Sequence, residues 1–458
     1  MINRFDAAVI GTGQAGPPLA NRLTGAGMTV AVIERGRFGG TCVNTGCIPT
    51  KTMVASAYAA HLAARGADYG VAIEGRVTVD MTKVVARKNL VSDTARKNIE
   101  SWLSSMPGCT VIRGHARFVS PNEIEVDGNR VTADKIFINV GARAVVPPIP
   151  GIDQVSFFTN ETIMNVESVL PRLVILGGSY IGLEFAQMFR RFGSEVTVVE
   201  AAPRLIPRED DDVSDAIRDI LEREGIAVHL ATKCTGLAGR GASIVAQLDA
   251  PTGPVEVEAT HLLLAIGRRP NTDDLGLDRA KLTVDQRGFI PTDEYLRTAV
   301  PNIYALGDCN GRGAFTHTSY NDFEIVAANL LDGEHRRVTD RLTTYGLFID
   351  PPLGRVGLTE REARENGRKA LIGKLPMTRV GRAIEKGETL GFMKVLIDAE
   401  TSKILGAAIL GTGGDEAVHC ITATMYAGAS YKTLQRAVHI HPTVSELIPT
   451  MLGELTPL

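Results

Sequence analysis

A chain of 458 residues is too long for one hydrophobic core, so three domains are expected before any motif is read. With 44% hydrophobic and 22% charged residues it reads as an ordinary globular protein, neither fibrous nor disordered. A net charge of −3 gives no reason to expect nucleic acid or an anionic membrane as a partner, and six cysteines are too sparse for a secreted disulfide scaffold.

The N-terminus runs straight into Ala7-Ala8-Val9-Ile10 with no basic region or cleavage site ahead of it, so no secretion signal is expected. No apolar run reaches the roughly 18 residues of a membrane helix, and a cytoplasmic protein is expected. Residues 5–34 read as strand, glycine turn, helix, strand. Phe5 to Ile10 leads into Gly11-Thr12-Gly13-Gln14-Ala15-Gly16, an Ala/Leu-rich helix follows, and Thr29 to Ile33 ends in Glu34. Gly11 permits a tight turn, Gly13 lets backbone approach a pyrophosphate, Gly16 lets helix and strand pack closely, and Glu34 sits where it can accept ribose hydroxyls. Pro17 and Pro18 are tolerated in a first helical turn, whose N–H groups lack intrahelical partners.

Gly39-Gly40-Thr41-Cys42-Val43-Asn44-Thr45-Gly46-Cys47-Ile48-Pro49-Thr50-Lys51 comes next. Two cysteines separated by four residues make poor zinc ligands without a second pair, so no metal site is expected. They can instead close a small reducible disulfide loop. Cys47 precedes an Ala-rich helical stretch to about Ala64, which puts its sulfur at a helix N-terminus, where a thiolate is stabilised. Cys109, Cys234, Cys309 and Cys420 stand alone and read as small buried hydrophobes. Lys83, Arg87 and Lys88, with Arg96 and Lys97, are expected on the solvated side of a helix.

Residues 172–200 repeat the first motif. Leu173 to Leu176 enters Gly177-Gly178-Ser179-Tyr180-Ile181-Gly182, and Val196 to Val199 ends in Glu200; first glycine to closing glutamate is 23 positions in both copies. Ser179 replaces the middle glycine. Glu200 favours NADH, since a carboxylate repels a 2′-phosphate, while Arg204 nearby in sequence keeps NADPH as the alternative. Arg208-Glu209-Asp210-Asp211-Asp212 is expected to complement a helix dipole. Two apolar runs, 136–143 and 262–269, each end in glycine and arginine, making Gly141 and Gly267 candidate cofactor contacts where each module closes. Two fingerprints imply two dinucleotides, and hydride passing from nicotinamide to a flavin makes FAD the natural occupant of one. Asn302 to Asp308 supports that, because a strand ending in Gly307-Asp308 presents a carboxylate to ribityl hydroxyls.

From about residue 338 short alternating strands such as Phe392 to Ile397 mix with helices, an α+β pattern without a nucleotide fingerprint. Near its end stands His439-Ile440-His441-Pro442-Thr443-Val444-Ser445-Glu446. A histidine shuttles protons near neutrality, and Glu446 can orient the His441 ring through its other nitrogen.

The two fingerprints, the G-G-T-C-x-N-x-G-C-x-P segment, the Gly-Asp motif and the C-terminal pattern together resemble the class I pyridine nucleotide-disulfide oxidoreductases over nearly the whole chain. The resemblance implies an α/β fold of two Rossmann-like domains with a C-terminal α+β dimerisation domain. Its expected division is 1–147 and 271–337 for FAD, 148–270 for NAD(P), and 338–458 for the homodimer contact. It also implies that Cys47 lies against the flavin as charge-transfer thiolate, that Cys42 meets substrate, and that Lys51 and Glu184 pair beside the flavin ring. Thr41, Ala116 and Thr316 are implied FAD contacts, and His441 is implied to act across the dimer on the partner's cysteines. The redox segment and the run 200–210 look most like the mercuric-reductase-like branch, which includes reductases of reactive-chlorine products and copper(II). The last residues, Gly453 to Leu458, carry no cysteine pair, so mercury is not the expected substrate. Dihydrolipoamide dehydrogenase is the chief alternative, and glutathione reductase, which favours NADPH, fits less well.

Overall fold

Unbroken apolar runs at Ala7–Ile10 and Val30–Ile33 form parallel strands paired from Ala7–Val30 to Ile10–Ile33. In the computed structural model, which describes residues 2–458, strands Cys109–Arg113, Val30–Glu34, Ile2–Ile10 and Asn129–Ile138 lie side by side, with Glu123–Val126 and Ala116–Ser120 beyond them. Ala7, Val9, Val30 and Val32 face helix residues Leu19, Leu23 and Val326, while Ala8, Ile10, Ala31 and Ile33 face Phe118, Ile136 and Leu275 on the other side. Cover on both faces is what lets a parallel strand read as continuously apolar. Strand Ile303–Ala305 rejoins this sheet beside Ile136–Ile138 after the whole second module has been built.

The second module has a four-stranded parallel sheet of Ala227–His229, Glu195–Val199, Arg172–Leu176 and His261–Leu264. Helix Tyr180–Phe192 crosses between its first two strands and stops at Gly193, whose φ of +114° supplies the left-handed C-terminal turn. An antiparallel meander, Lys233–Arg240, Ser243–Ala250 and Gly253–Ala259, packs against the same sheet. The two glycine-arginine runs meet in space: Ala142–Ala144 pairs antiparallel with Arg268–Pro270, tying the modules together.

The C-terminal sheet has six antiparallel strands in the order Thr344–Leu347, Leu353–Gly357, Ile404–Leu410, Phe392–Asp398, Ala370–Pro376, Thr456–Pro457. All seven residues of Phe392–Asp398 are buried, because the strand is central and covered on both faces; its alternation therefore marks no solvent face. Val395 and Ile397 pack on Ile421, whereas Phe392 and Leu410 share a cluster with Leu183, Phe189 and Met53 of the nucleotide-binding halves.

In each of the two charge clusters the expected placement holds for some residues and fails for others. Lys83, Arg87 and Lys97 are exposed as expected, whereas Lys88 is 5% exposed and donates to Asn165 Oδ1 at 3.0 Å, because its side of helix Met81–Ser105 packs inward. Glu209 and Asp210 are buried too, while Asp211 and Asp212 do occupy the first turn of helix Asp211–Arg223. The Lys394 ammonium lies 2.9, 2.8 and 2.7 Å from carboxylate oxygens of Asp210, Asp212 and Glu360. Three carboxylates grouped closely enough to hold a cation thus enclose a lysine from the C-terminal sheet. Burial pushes the Glu209 carboxyl up, with Arg355 opposing it. Among the described residues no helix is long and apolar enough to cross a membrane.

Candidate active site

Gly39 and Gly40, at φ +95° and +62°, turn the chain into the short helix Gly40–Asn44. Asn44 Nδ2 cinches that turn by donating to the Phe38 and Gly40 carbonyls at 2.8 and 2.9 Å. Cys42 sits in this short helix, and Cys47 is the first residue of helix Cys47–Ala64; both are free thiols. Cys47 Sγ lies 3.0 Å from Thr316 Oγ1. One helical turn further, the Lys51 ammonium reaches both Glu184 oxygens at 2.8 and 2.6 Å. Phe348 backs the ion pair, its N–H donating to Glu184 Oε1 at 3.2 Å and its ring lying 4.6 Å from the Lys51 ammonium.

These neighbours split the two thiols. A hydrogen bond from the Cys42 thiol, aided by Thr316 and the Lys51 charge, lowers Cys47 to about 6 against burial and the Glu184 charge. The same shared hydrogen bond, together with burial, pushes Cys42 up. The pair therefore keeps its first proton on Cys42 and its thiolate on Cys47, at a helix N-terminus that favours negative charge.

The glycine turns repeat down to single atoms. Glu34 Oε2 accepts from the Thr12 N–H at 3.0 Å and Oε1 from the Gly36 N–H at 2.7 Å. Glu200 Oε2 accepts from the Gly178 N–H at 2.6 Å and Oε1 from the Ala202 N–H at 2.8 Å. Each glutamate thus clasps its own glycine turn and keeps lone pairs for a ribose. A Cβ on Gly16 would stand 2.4 Å from the Gly11 carbonyl, and one on Gly182 2.0 Å from the Gly177 carbonyl, so both closing glycines are required for strand–helix approach.

One cavity of about 2380 Å³ runs past both turns. It exceeds the roughly 1,000 Å³ upper range of a single small-ligand pocket, as two dinucleotides require. Gly11, Gly13, Glu34, Thr41, Cys42, Cys47, Lys51, Ala116, Gly141, Gly177, Glu184, Glu200, Gly267, Asp308 and Thr316 all line it. Gly16 and Gly182 lie behind the turns they shape. Burial pushes the Asp308 carboxyl up, with the Arg268 guanidinium opposing it at 3.8 Å. The bare backbone cradle at Gly13 and Gly40, where a Cβ on Gly40 would stand 2.8 Å from the Gly13 Cα, fits an FAD pyrophosphate.

Three sets of residues here escaped sequence reasoning. Buried Asn139 accepts from the Gly16 N–H at 3.1 Å and donates to the Leu306 carbonyl at 3.0 Å, joining the first fingerprint to the Gly-Asp strand. Its signal was a lone polar residue closing an apolar run. Arg268 reaches the Ala142 carbonyl and Thr41 Oγ1. Tyr180, Phe315, His317 and Tyr345 form an aromatic wall drawn from three separate segments, and no local pattern announces it.

His441 and Glu446 do not line this cavity. His441 Nδ1 lies 2.9 Å from Glu446 Oε2, and the imidazole is 81% exposed, with Nε2 left to face outward.

The pyridine nucleotide-disulphide oxidoreductase family matches residues 5–322, and its dimerisation domain matches residues 343–452. The chain is 38% identical to the probable pyridine nucleotide-disulfide oxidoreductase RclA of Escherichia coli, over 97% of this chain and 98% of that protein. It is 34% identical to a mercuric reductase of Streptomyces lividans (97% and 94% covered) and 34% identical to a dihydrolipoyl dehydrogenase of Thermus scotoductus (96% and 95% covered). The solved structure of the HOCl-induced flavoprotein disulfide reductase RclA from Escherichia coli superposes with a TM-score of 0.89 at 36% identity, covering 98% of this chain and 99% of that one. A Cu(II) complex of the same reductase matches equally, with a TM-score of 0.89. With both domains matched and the glycine turns, redox cysteines and cavity in place, this chain belongs to the pyridine nucleotide-disulphide oxidoreductases, flavoenzymes that use FAD and NAD(P)H.

Proposed function

We propose that the enzyme takes electrons from NADH and delivers them through Cys42 and Cys47 to an oxidised thiol, a reactive-chlorine product or a metal-ion substrate. The observation that carries this reading is the pair of unequal thiols beside Lys51–Glu184 in one cavity that reaches both glycine turns. Likeness to a reductase described as HOCl-induced supports the reactive-chlorine connection. The assigned division is 1–147 and 271–337 for FAD, 148–270 for NADH and 338–458 for the homodimer contact, in line with the return of Ile303–Ala305 to the first sheet. A cytoplasmic setting suits a chain whose catalytic pair must be reduced and whose other four cysteines are free thiols.

Gly11, Gly13, Glu34, Thr41, Ala116, Gly141, Asp308 and Thr316 would hold FAD, and Gly177, Glu200 and Gly267 the nicotinamide dinucleotide, with Gly16 and Gly182 shaping the turns. FAD, when bound, relays an electron pair from the nicotinamide to the cysteines. Arg204 supports NADH, since its guanidinium is engaged by Asp211 at 3.2 Å and by Asp215.

The protein's own steps follow from the thiol asymmetry. Cys42 holds its proton tightly, so it needs a base, and His441 of the partner subunit, oriented by Glu446, takes that proton. The Cys42 sulfur then attacks one sulfur of a disulfide substrate, forming a mixed disulfide, and the leaving thiolate receives the proton back from the imidazolium. The Cys47 thiolate attacks Cys42, expels the second thiolate and re-forms the Cys42–Cys47 disulfide, so two electrons pass to substrate. Lys51 stabilises the Cys47 thiolate throughout.

Dihydrolipoamide oxidation is a second reading, favoured by the His441–Glu446 dyad. One panel separates them: purified holoenzyme with NADH or NADPH against lipoamide, glutathione disulfide, hypothiocyanite, copper(II) and mercury(II). NADH oxidation with at least one acceptor, lost in Cys42→Ser, is expected; full disulfide reduction by Cys42→Ser would sink the role assignment.

A further inference from the structure

Tyr180 and Glu184 are one helical turn apart and line the same cavity, so the Tyr180 ring stands beside the Lys51–Glu184 pair. On the reading that NADH lies with its phosphates at the Gly177 turn, this is where its nicotinamide end arrives. The wall there is aromatic: Tyr180 meets Phe315 edge-on at 5.8 Å and Tyr345 edge-on at 5.5 Å, while Phe315 stacks on Tyr345 at 5.7 Å and on His317 at 5.3 Å.

Tyr345 comes from outside the nucleotide modules, on strand Thr344–Leu347 of the C-terminal sheet. Its cross-strand partner in register is Arg355, so both present side chains to the same face. That face meets Glu209, which follows the ribose-binding strand of the second module. Tyr345 Oη donates to Glu209 Oε1 at 2.5 Å, and Arg355 Nη1 stands 3.8 Å from Glu209 Oε2. The Glu209 and Arg355 side chains are 0% and 1% exposed, so the anchor is held by packing as well as by charge. Burial pushes the Tyr345 phenol up, which keeps its proton available to donate.

We propose that Tyr345, tethered to Glu209, is a positioning residue for nicotinamide-dinucleotide binding: it fixes the Tyr180 and Phe315 rings that receive the flat dihydronicotinamide. It acts through those rings and need not touch the cofactor. The inference rests on the assignment of NADH to the second module.

The test is anaerobic stopped-flow bleaching of the flavin in FAD-loaded enzyme against NADH concentration, which needs no second substrate. Tyr345→Phe is expected to raise the NADH concentration for half-saturation about 3- to 10-fold, the range of one lost hydrogen bond. The limiting rate should fall by less. Glu209→Leu should reproduce the shift, Glu209→Gln should retain tight binding because its amide oxygen still accepts from Tyr345, and the double variant Tyr345→Phe/Glu209→Leu should be no worse than either single one. Half-saturation by Tyr345→Phe within 2-fold of wild type, or multiplicative effects in the double variant, overturns the inference. A drop in thermal stability without a shift in half-saturation also overturns it, as the mark of a merely structural contact. Wild-type enzyme that NADH fails to bleach would instead overturn the NADH assignment itself.

Discussion

Cys42 and Cys47 carry the same functional group, and their neighbours make them opposite reagents. Thr316, Lys51 and the Cys42 thiol all lower Cys47, whereas Cys42 shares its proton with a group that already holds negative charge. In holoenzyme reduced by two electrons, the long-wavelength absorbance of a thiolate against flavin should therefore grow in as pH rises through about 6 and persist above it. Cys47→Ser should lack that band and Cys42→Ser should keep it. Replacing Lys51 with methionine removes the attractive charge and leaves Glu184 uncompensated, so the midpoint should move up by about 1–3 units; an unmoved midpoint in the titration would remove Lys51 from the thiolate's environment. Asn139 invites a different test. Asn139→Ala removes the bridge between the Gly16 N–H and the Leu306 carbonyl, but the N–H still reaches the Gly13 carbonyl at 3.0 Å and the Cys309 thiol still donates to the Leu306 carbonyl at 3.3 Å, so the cost is that of two hydrogen bonds, about 1–3 kcal/mol in all. Thermal unfolding of the FAD-loaded enzyme should report that loss as a lower Tm.

At the scale of elements, legibility followed how local the information was. Strand, glycine turn, helix and closing glutamate fall within residues 5–34 and again within 172–200, and both copies form those elements in that order; the clasp of Glu34 and Glu200 on their own turns is what the structure adds. The start of helix Cys47–Ala64 at Cys47 was legible for the same reason. Burial of polar groups was not, because it depends on what a distant segment brings. Lys88 and the Glu209–Asp210 pair look like surface charge until helix packing and Lys394, far along the chain, enclose them. The aromatic wall is likewise assembled from three segments. Lys394→Met tests the buried cluster: it leaves Asp210, Asp212 and Glu360 facing one another without their ammonium, and should destabilise the protein by about 3–5 kcal/mol. Chemical denaturation should show it as a fall in midpoint at unchanged slope. A fall below about 1 kcal/mol would place the cluster with exposed ion pairs.

At the scale of the whole molecule, one cavity is lined by Cys42, Cys47, Lys51, Glu184 and the expected cofactor contacts other than Gly16 and Gly182, but not by His441 and Glu446. His441 sits on the surface in a segment where Val438 and Ile440 are 101% and 80% exposed, an apolar display that suits contact with a second copy through the matched dimerisation domain. If the imidazole serves the partner's Cys42, each active site is built from two chains, and subunit mixing distinguishes that from service within one chain. Homodimers of Cys42→Ser and of His441→Ala should each be nearly inactive. In a hybrid dimer one site combines both lesions, while the other joins the intact Cys42 of one chain to the intact His441 of its partner. Random exchange of equal amounts makes half the dimers hybrid with one of two sites whole, so activity should return to about one quarter of wild type. Service within one chain predicts no return, since each chain of the hybrid still carries its own lesion.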